Sequence, residues 1–416
     1  MHAALQHNDR MSISDTRSAD ALDGGVPPRH RALILTALTL GGFAIGTSEF
    51  ASMGLMPDIA LEFAVSEPQV GHLISLYALG VVVGAPLLAL LGGRLPRRTL
   101  LIALMGFYAL GNLASALAPG YSSMLAFRFV AGLPHGAYFG VAALAAVAIS
   151  PPEQRGRAVS LVMLGLTLAI LAGNPLATVI GQMAGWRWAF VLVTVVAAAT
   201  VVLVAVFMPR DRAQASRPLD ELRAFNRLPV WQALAIGAIG FAGMFSVFSY
   251  LAPTMLHVTR VSPGWIPLGL AGFGVGAVVG NVAGGRLFDR FGLRAVPIVL
   301  LWAAGMLAMY PFFATSLAGI VVATIAIGLM GALGPILQSH LMDVAGDAQT
   351  LAAASHHAAF NAANALGPWL GGLAIAAGWG WTSTGPVGAA MALLGLVVYG
   401  WARRTLDARV RLEAMS

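Results

Sequence analysis

The sequence is dominated by long apolar runs that follow one another from Leu33 to Trp401, with short polar segments between them. A helix needs about 20 mostly apolar residues to cross the hydrocarbon layer of a bilayer, and it satisfies its own backbone hydrogen bonds there. Strands of a membrane barrel are shorter and alternate in polarity, which these runs do not. The sequence therefore predicts an all-α integral membrane protein. Its twelve expected spans lie at about residues 33–57, 70–91, 100–118, 123–148, 158–182, 188–208, 230–253, 264–285, 295–315, 317–341, 350–376 and 383–402.

Composition excludes several classes of function. Hydrophobic residues make up 58% of the 416-residue chain and charged residues only 10%, which is outside the usual range of soluble domains. Cysteine is absent, so disulfides, thiolate metal sites and cysteine nucleophiles are excluded. The sequence has no glycine-rich phosphate loop and no nucleophile-and-base pair within the spans, and its histidine and aspartate spacings match no metal site. We therefore expect neither an enzyme nor an ATP-driven pump, and no metal or other cofactor.

The basic residues indicate the orientation of the spans. The chain has no lysine and 24 arginines, and cytoplasmic loops of membrane proteins collect positive charge. If the N-terminus is cytoplasmic, 21 arginines fall on the cytoplasmic side, and only Arg128, Arg187 and Arg260 fall elsewhere. Both termini are therefore predicted to be cytoplasmic in a bacterial inner membrane. Because the net charge of +7 is concentrated at the ends of spans, it does not indicate nucleic-acid binding.

A polar segment after the sixth span divides the chain into two halves. The expected order is a cytoplasmic tail, a six-helix bundle, a cytoplasmic linker, a second six-helix bundle and a second tail, at residues 1–32, 33–208, 209–229, 230–402 and 403–416. The halves share short sequences, since GGRL recurs at 92–95 and 284–287, and GWxW recurs at 185–188 and 378–381. Such repetition predicts two pseudo-symmetric halves that hold a substrate near the membrane midplane and rock against each other.

Two loops carry a signature that resembles a known family. GAPLLALLGGRLPRR at 84–98 lies between spans two and three, and GNVAGGRLFDRFGLR at 280–294 lies between spans eight and nine. Both resemble the loop signature of the major facilitator superfamily, and only the second copy keeps the aspartate of that signature. The resemblance implies a role in conformational change for the charged loop residues Arg94, Arg97, Arg98, Asp289, Arg290 and Arg294. Anchoring of the helix ends at the lipid surface is the alternative role for the arginines.

Spans four and five add glycine patterns. RFVAGLPHGAYFG in span four spaces Gly132, Gly136 and Gly140 by four residues, which predicts a smooth face for close packing of another helix. GLTLAILAGNPLATVIGQMAG in span five resembles a degraded antiporter signature of drug:proton exporters. Three further segments are GTSEFASMGLMPDIA at 46–60, LQSHLMDVAGDAQTLAAASHHAAF at 337–360 and FNAANALGPWLGGL at 360–373. Together with spans four and five they resemble the twelve-span drug:proton antiporter group, and most closely its arabinose-efflux and sugar-efflux type permeases. The resemblance implies export of small molecules such as drugs, sugars or metabolites, and it does not specify the substrate.

One carboxylate lies inside an otherwise uncharged run. Glu49 is the only ionisable residue from Leu33 to Met56, and an ionisable side chain in a span indicates a function and a partner. Arg128 in span four lies within about two residues of the same depth, or about 3 Å at the rise of a helix, so we predict that the two side chains interact. Burial favours the neutral carboxyl and the arginine favours the charged form, so their rearrangement would load and release a proton. A static ion pair and a glutamate in a water-filled vestibule are the alternatives.

Other polar residues within the spans extend this candidate site. His135 lies two turns from Arg128, and it either relays protons or binds a neighbouring backbone group. In span eleven, His357, Asn361 and Asn364 share a helix face that suits either a polar substrate or contacts between helices. The remaining candidates for substrate binding are Tyr138, Asn174 and Gln338.

The sequence thus predicts a proton-coupled exporter of small organic molecules that works by alternating access. The resemblance implies that it works as a monomer. Its expected partners are protons, a small-molecule substrate and the lipid bilayer. Two alternatives keep the same fold: an uncoupled facilitator or importer of a small polar metabolite, and a membrane receptor or assembly protein that does not transport.

Overall fold

The computed structural model describes residues 27–92, 95–210, 227–345 and 349–413. This part of the chain is helical, as the apolar runs predict. Its α-helices, in chain order, are α1 (Pro28–Gly54), α2 (Met56–Phe63), α3 (Glu67–Gly92), α4 (Arg97–Ala116), α5 (Tyr121–Ala148), α6 (Arg155–Leu168), α7 (Asn174–Ala184), α8 (Arg187–Phe207), α9 (Leu228–Gly240), α10 (Ala242–Ser249), α11 (Leu251–His257), α12 (Ile266–Phe291), α13 (Ala295–Phe313), α14 (Leu317–Gly328), α15 (Leu333–Ala345), α16 (Gln349–Ala376) and α17 (Thr384–Glu413).

These helices build twelve membrane crossings. Ten segments of the described chain are long and apolar enough to cross a bilayer, and one of them, Pro263–Phe313, is 51 residues long and contains both α12 and α13. Helix α16 adds the remaining crossing with 28 residues, and its histidines and asparagines make it more polar than the others. Most of the predicted N-terminal tail and linker lies outside the described residues, as does Arg94.

Several crossings differ from uniform helices. In span five, the five residues Ala169–Gly173 form a π-helical segment between α6 and α7. The segment ends two residues before Pro175, which has no N–H to continue the α-helical ladder. In span ten, the segment Leu329–Ala332 forms a 3₁₀ turn between α14 and α15. The last span was expected to end at residue 402, but α17 continues to Glu413. Its final residues include no glycine or proline that would stop the helix.

Glycines allow spans two and four to pack closely. A Cβ atom on Gly132 of α5 would lie 2.1 Å from the Tyr77 carbonyl oxygen of α3, and one on Gly136 would lie 2.5 Å from Ala85 Cβ. The packing face predicted from the four-residue spacing is therefore confirmed at these two positions. It is wrong at Gly140, where an added Cβ would meet nothing within 4 Å.

The same contact recurs in the second half, which makes the fold pseudo-symmetric. Gly84 and Gly276 are 192 positions apart, the shift that aligns the repeated GGRL sequences. A Cβ on Gly84 would lie 2.1 Å from the Leu133 carbonyl oxygen, and a Cβ on Gly276 would lie 2.1 Å from the Ile325 carbonyl oxygen. Spans two and four are thus packed through the same kind of backbone approach as spans eight and ten.

Contacts between the two halves reach one end of the bundle. We call the face that carries the start of α1 and the end of α17 the inner face, and the opposite face the outer face. At the outer face, His257 Nε2 lies 3.1 Å from Glu67 Oε1 of the other half. Nearby, Gln182 Nε2 donates a 2.9 Å hydrogen bond to the Pro263 carbonyl oxygen. These contacts close the outer end between the halves in this conformation.

Candidate functional site

Glu49 joins the two halves inside the bundle. Its side chain is completely buried in α1. The Nδ2 atom of Asn364, on α16 of the other half, donates a 2.9 Å hydrogen bond to Glu49 Oε1. In the described part of the chain, Glu49 Oε2 and Asn364 Oδ1 have no hydrogen-bond partner. The carboxyl is therefore held by a single bond, and that bond crosses between the halves.

Arg128 is equally buried, but its hydrogen bonds stay within the first half. Its Nη1 donates to Ser48 Oγ at 2.8 Å, and its Nη2 donates to the Ser48 carbonyl oxygen at 2.9 Å. The guanidinium carbon lies 4.2 Å from the centre of the Tyr77 ring, in a cation–π contact. Both Arg128 and Glu49 are described, and no ion pair joins them, although Arg128 binds Ser48, the residue next to Glu49 in the chain.

A row of polar side chains leads inward from the arginine. Ser48 Oγ donates to Asn112 Oδ1, and Asn112 Nδ2 in turn donates to the Tyr108 carbonyl oxygen at 2.9 Å. The hydroxyls of Tyr108 and Tyr77 lie 3.1 Å apart, and the Tyr77 hydroxyl lies 3.2 Å from His135 Nδ1. His135 thus contacts a side chain rather than a backbone group. The sequence interpretation did not include Ser48, Tyr77, Tyr108 and Asn112, although a lone asparagine within an apolar span was a usable signal.

The histidine and asparagine face of α16 meets the first half at two levels. Asn364 reaches Glu49, as described above, and the His357 ring stacks on Phe139 of α5 with centroids 5.5 Å apart and an 8° angle between the planes. Asn361 lies between them and is buried. Its Nδ2 donates to the His357 carbonyl oxygen of its own helix at 3.0 Å, and its Oδ1 has no partner in the described chain.

The other three candidates for substrate binding have different surroundings. Asn174 is completely buried after the π-helical segment, and neither atom of its amide has a hydrogen-bond partner among the described residues. The Tyr138 hydroxyl donates to the Leu38 carbonyl oxygen at 2.8 Å, so it fastens α5 to α1 rather than joining the polar row. Gln338 is half-buried in α15, and the structure gives it no contact with the Glu49 group.

The charged loop residues lie at the inner face, away from this group. Arg98 donates to the Ala205 carbonyl oxygen near the end of α8, where a positive charge is favourable. Arg290 lies 5.3 Å from the centre of the Phe291 ring. Asp289 and Arg294 are exposed and Arg97 is half-buried. Within the described residues, Asp289 forms no ion pair.

The arrangement combines one buried acid with several unused hydrogen-bonding atoms. Buried polar atoms normally have a partner, so those of Glu49, Asn174, Asn361 and Asn364 mark places where a proton, a water molecule or a polar ligand would be stabilised. Because one of these atoms belongs to a carboxyl, the group also offers a place to bind a proton.

Comparison with known families agrees with this architecture. A family model described as Major Facilitator Superfamily matches residues 38–294 and 234–414. The chain belongs to the major facilitator superfamily. The match confirms the resemblance to this superfamily that the loop and glycine motifs indicate. Its members are transporters rather than enzymes.

Individual relatives give the same result. The inner membrane transport protein YdhP of Escherichia coli K12 is 37% identical over 366 residues, which cover 88% of this chain and 94% of that protein. A chloramphenicol resistance protein of Streptomyces lividans is 33% identical over 347 residues, covering 81% and 87%. The crystal structure of a bacterial homolog of the human lysosomal transporter Spinster, inward-facing and occupied, has a TM-score of 0.71 at 18% identity and covers 91% of this chain and 98% of that chain. That similarity shows the fold alone. The chain is a multi-pass membrane transporter.

Proposed function

We propose that this facilitator is a proton-coupled exporter of small organic molecules in a bacterial inner membrane, with both termini in the cytoplasm. The observation that carries the proposal is the bond between Glu49 and Asn364, because it is the one hydrogen bond that the described residues give to a completely buried carboxyl, and it crosses between the halves. Opening of the outer end separates the halves and breaks this bond. The charge state of Glu49 therefore changes the balance between the closed and open conformations.

The cycle follows from where water can reach the carboxyl. When the outer end opens, Glu49 is hydrated and takes a proton from the outer side. Neutralisation lowers the cost of burying the side chain again, so the protonated form closes and later releases its proton toward the inner face. Arg128 remains bound to Ser48 during these steps and favours renewed ionisation. Proton entry is thus exchanged for export of substrate.

The substrate site lies next to the same group. Asn361, Asn364 and Asn174 have buried amide atoms without partners among the described residues, and amides suit neutral or weakly charged polar compounds because they both donate and accept hydrogen bonds. His135 lies beside Tyr77 at the inner end of the polar row, where it would pass the proton on. The name of the Streptomyces relative makes chloramphenicol a rational first probe. The inner-face loop arginines would guide the rocking of the halves.

Transport in vesicles with an imposed pH gradient tests the coupling. We expect the wild-type protein to accumulate chloramphenicol, or the compound that comparison of metabolites between cells with and without the gene identifies, only when the gradient is present. Glu49→Gln should lose this dependence, because the amide cannot carry the proton. Glu62→Gln is the matched control, since Glu62 lies at the outer surface and pairs with Arg187. Gradient-dependent transport by Glu49→Gln would refute the proposal, and gradient-independent transport by the wild type would identify an uncoupled facilitator.

A further inference from the structure

A groove at the inner face lies apart from the Glu49 group. It is a cavity of about 430 Å³ between the beginning of α1 and the beginning of α6. Its mouth is lined by Arg31, Ser150 and Arg157, and its deeper part by Leu35, Ala158 and Leu161. The groove thus has a basic end and an apolar end.

The basic end fits an anion. In the described part of the chain, neither the Arg31 nor the Arg157 guanidinium takes part in an ion pair or a side-chain hydrogen bond, and no acidic residue lines the groove. Ser150 is only 8% exposed, and its hydroxyl has no partner among the described residues. Two helices also begin here, α1 at Pro28 and α6 at Arg155, and helix N-termini add positive potential. A hydroxyl and two free guanidiniums that line the same cavity suit phosphate oxygens.

The apolar end lies at the depth of acyl chains. Thr39, at the bottom of the groove, is eleven positions after Pro28, the first residue of the span, which places it about 16 Å deeper at 1.5 Å per residue. Two neighbouring leucines point outward at these levels, because Leu33 is 40% exposed and Leu164 is 41% exposed. Lipid tails are as apolar as leucine, so a surface that exposes leucines within a span suits contact with lipid. The groove therefore runs from the headgroup level into the hydrocarbon layer, beside lipid-facing surface.

We propose that this groove binds one anionic glycerophospholipid. Its phosphate lies between Arg31 and Arg157 and accepts a hydrogen bond from Ser150, and one acyl chain lies along Leu35 and Leu161. A soluble phosphate compound would satisfy the arginines but leave the apolar end empty, so the groove as a whole favours a lipid. This site is independent of proton coupling, since none of its residues contacts Glu49 or Arg128.

Native mass spectrometry of the full-length protein tests the site. The protein is extracted from vesicles that contain equal amounts of phosphatidylglycerol and phosphatidylcholine, and the retained lipids are counted. We expect the wild type to retain phosphatidylglycerol selectively. An arginine near an anionic lipid surface contributes about fivefold in binding, so Arg31→Gln with Arg157→Gln should lower retention roughly 25-fold. Replacing both by lysine should preserve most of the retention, which shows that the charge matters and that the substituted protein folds.

The matched control removes the same charge outside the groove. Arg29 and Arg155 are exposed at the same two helix starts and do not line the cavity, so replacing both by glutamine should leave retention unchanged. Leu161→Trp fills the apolar end and should lower retention with both arginines intact.

Four results would overturn the proposal. An equal loss in both glutamine pairs would show a general effect of surface charge, and no loss with Leu161→Trp would show that the apolar end is not used. Release of the lipid by glycerol 3-phosphate would identify a site for soluble phosphate compounds. Retention that arises only after deletion of residues 2–26 would assign the groove to the chain's own N-terminus. Because the readout is bound lipid rather than transport, each result is distinguishable from failure of the proposed proton coupling.

Discussion

The bond between Asn364 and Glu49 predicts that Asn364→Ala opens the outer end of the bundle. The substitution removes the only hydrogen bond that the described structure gives to the Glu49 carboxyl. In the closed conformation, the carboxyl would remain completely buried with no partner. In a conformation that is open at the outer face, water replaces the lost donor. The variant is therefore destabilised in one conformation only.

The size of the shift follows from the cost of a buried group without a partner. Such a group costs about 1–3 kcal/mol, which corresponds to a change of about 5- to 150-fold in the equilibrium between the two conformations. If about 1% of wild-type molecules are open at the outer face, the variant should show about 5–60%. The lower end of this range applies if water reaches the carboxyl in the closed variant.

The absence of cysteine makes the measurement direct. Leu61→Cys and Trp379→Cys place one spin label on each half, at outer-face positions whose side chains are 85% and 70% exposed. Pulsed electron resonance in lipid nanodiscs then gives the distance distribution between the labels. We expect Asn364→Ala to increase the population with the longer distance.

Asn361→Ala is the matched control, because Asn361 lies one turn away on the same helix and donates only to its own backbone. It should leave the distance distribution unchanged. The reasoning also requires that the effect of Asn364→Ala depends on the carboxyl, so it should vanish in a Glu49→Ala background. An equal shift in both asparagine variants, or a shift that persists without Glu49, would refute it.

Three further predictions concern stability. Ser48→Ala removes an acceptor from a buried guanidinium, so the free energy of unfolding should fall by about 1–3 kcal/mol. Ser52→Ala removes a buried hydroxyl without a described partner and should change the free energy of unfolding little; equal losses in the two variants would contradict this. Gly132→Ala places a Cβ 2.1 Å from a backbone oxygen and should lower Tm in detergent, unlike Gly140→Ala; equal Tm values would contradict the packing argument. Asp58 lies outside the spans, and burial raises the pKa of its carboxyl, so ionisation of this group destabilises the folded state. Asp58→Asn should therefore raise Tm relative to wild type at about pH 8 but not near pH 3, which is below the unfolded pKa of about 3.9. A difference in Tm that does not depend on pH would contradict this.

The spans were predictable because the length and polarity of a run decide whether it crosses a membrane. The interruptions of the α-helices within the spans were less predictable. Pro175 explains the π-helical segment of span five once the helix is seen, but a proline permits several local solutions. The end of the last helix was missed because hydropathy falls at Arg403 while helix propensity does not. Membrane depth and helix length are separate properties.

The candidate site was predictable in depth but not in partner choice. Position along a helix fixes depth at 1.5 Å per residue, and this brought Glu49 and Arg128 to the same level. The direction in which each side chain points depends on how distant helices pack, which the sequence pattern of one span does not contain. In the structure, Arg128 donates its hydrogen bonds to Ser48, which is next to Glu49 in the chain, rather than to Glu49 itself. The sequence places Asn364 on a polar face of span eleven, and only the packed structure shows that its side chain reaches the Glu49 carboxyl.

This division of partners assigns different roles to the two buried charges. Arg128 donates to Ser48 and lies over Tyr77, both in the first half, so these contacts can persist when the halves separate. Glu49 is bound across the boundary, so an opening of the outer end in the proposed cycle would change its environment. A direct ion pair between them would have held both charges within one half and made the carboxyl insensitive to that opening. In the proposed cycle, the absence of such a pair leaves Glu49 as the group whose proton affinity depends on conformation, as coupling of a proton to alternating access requires.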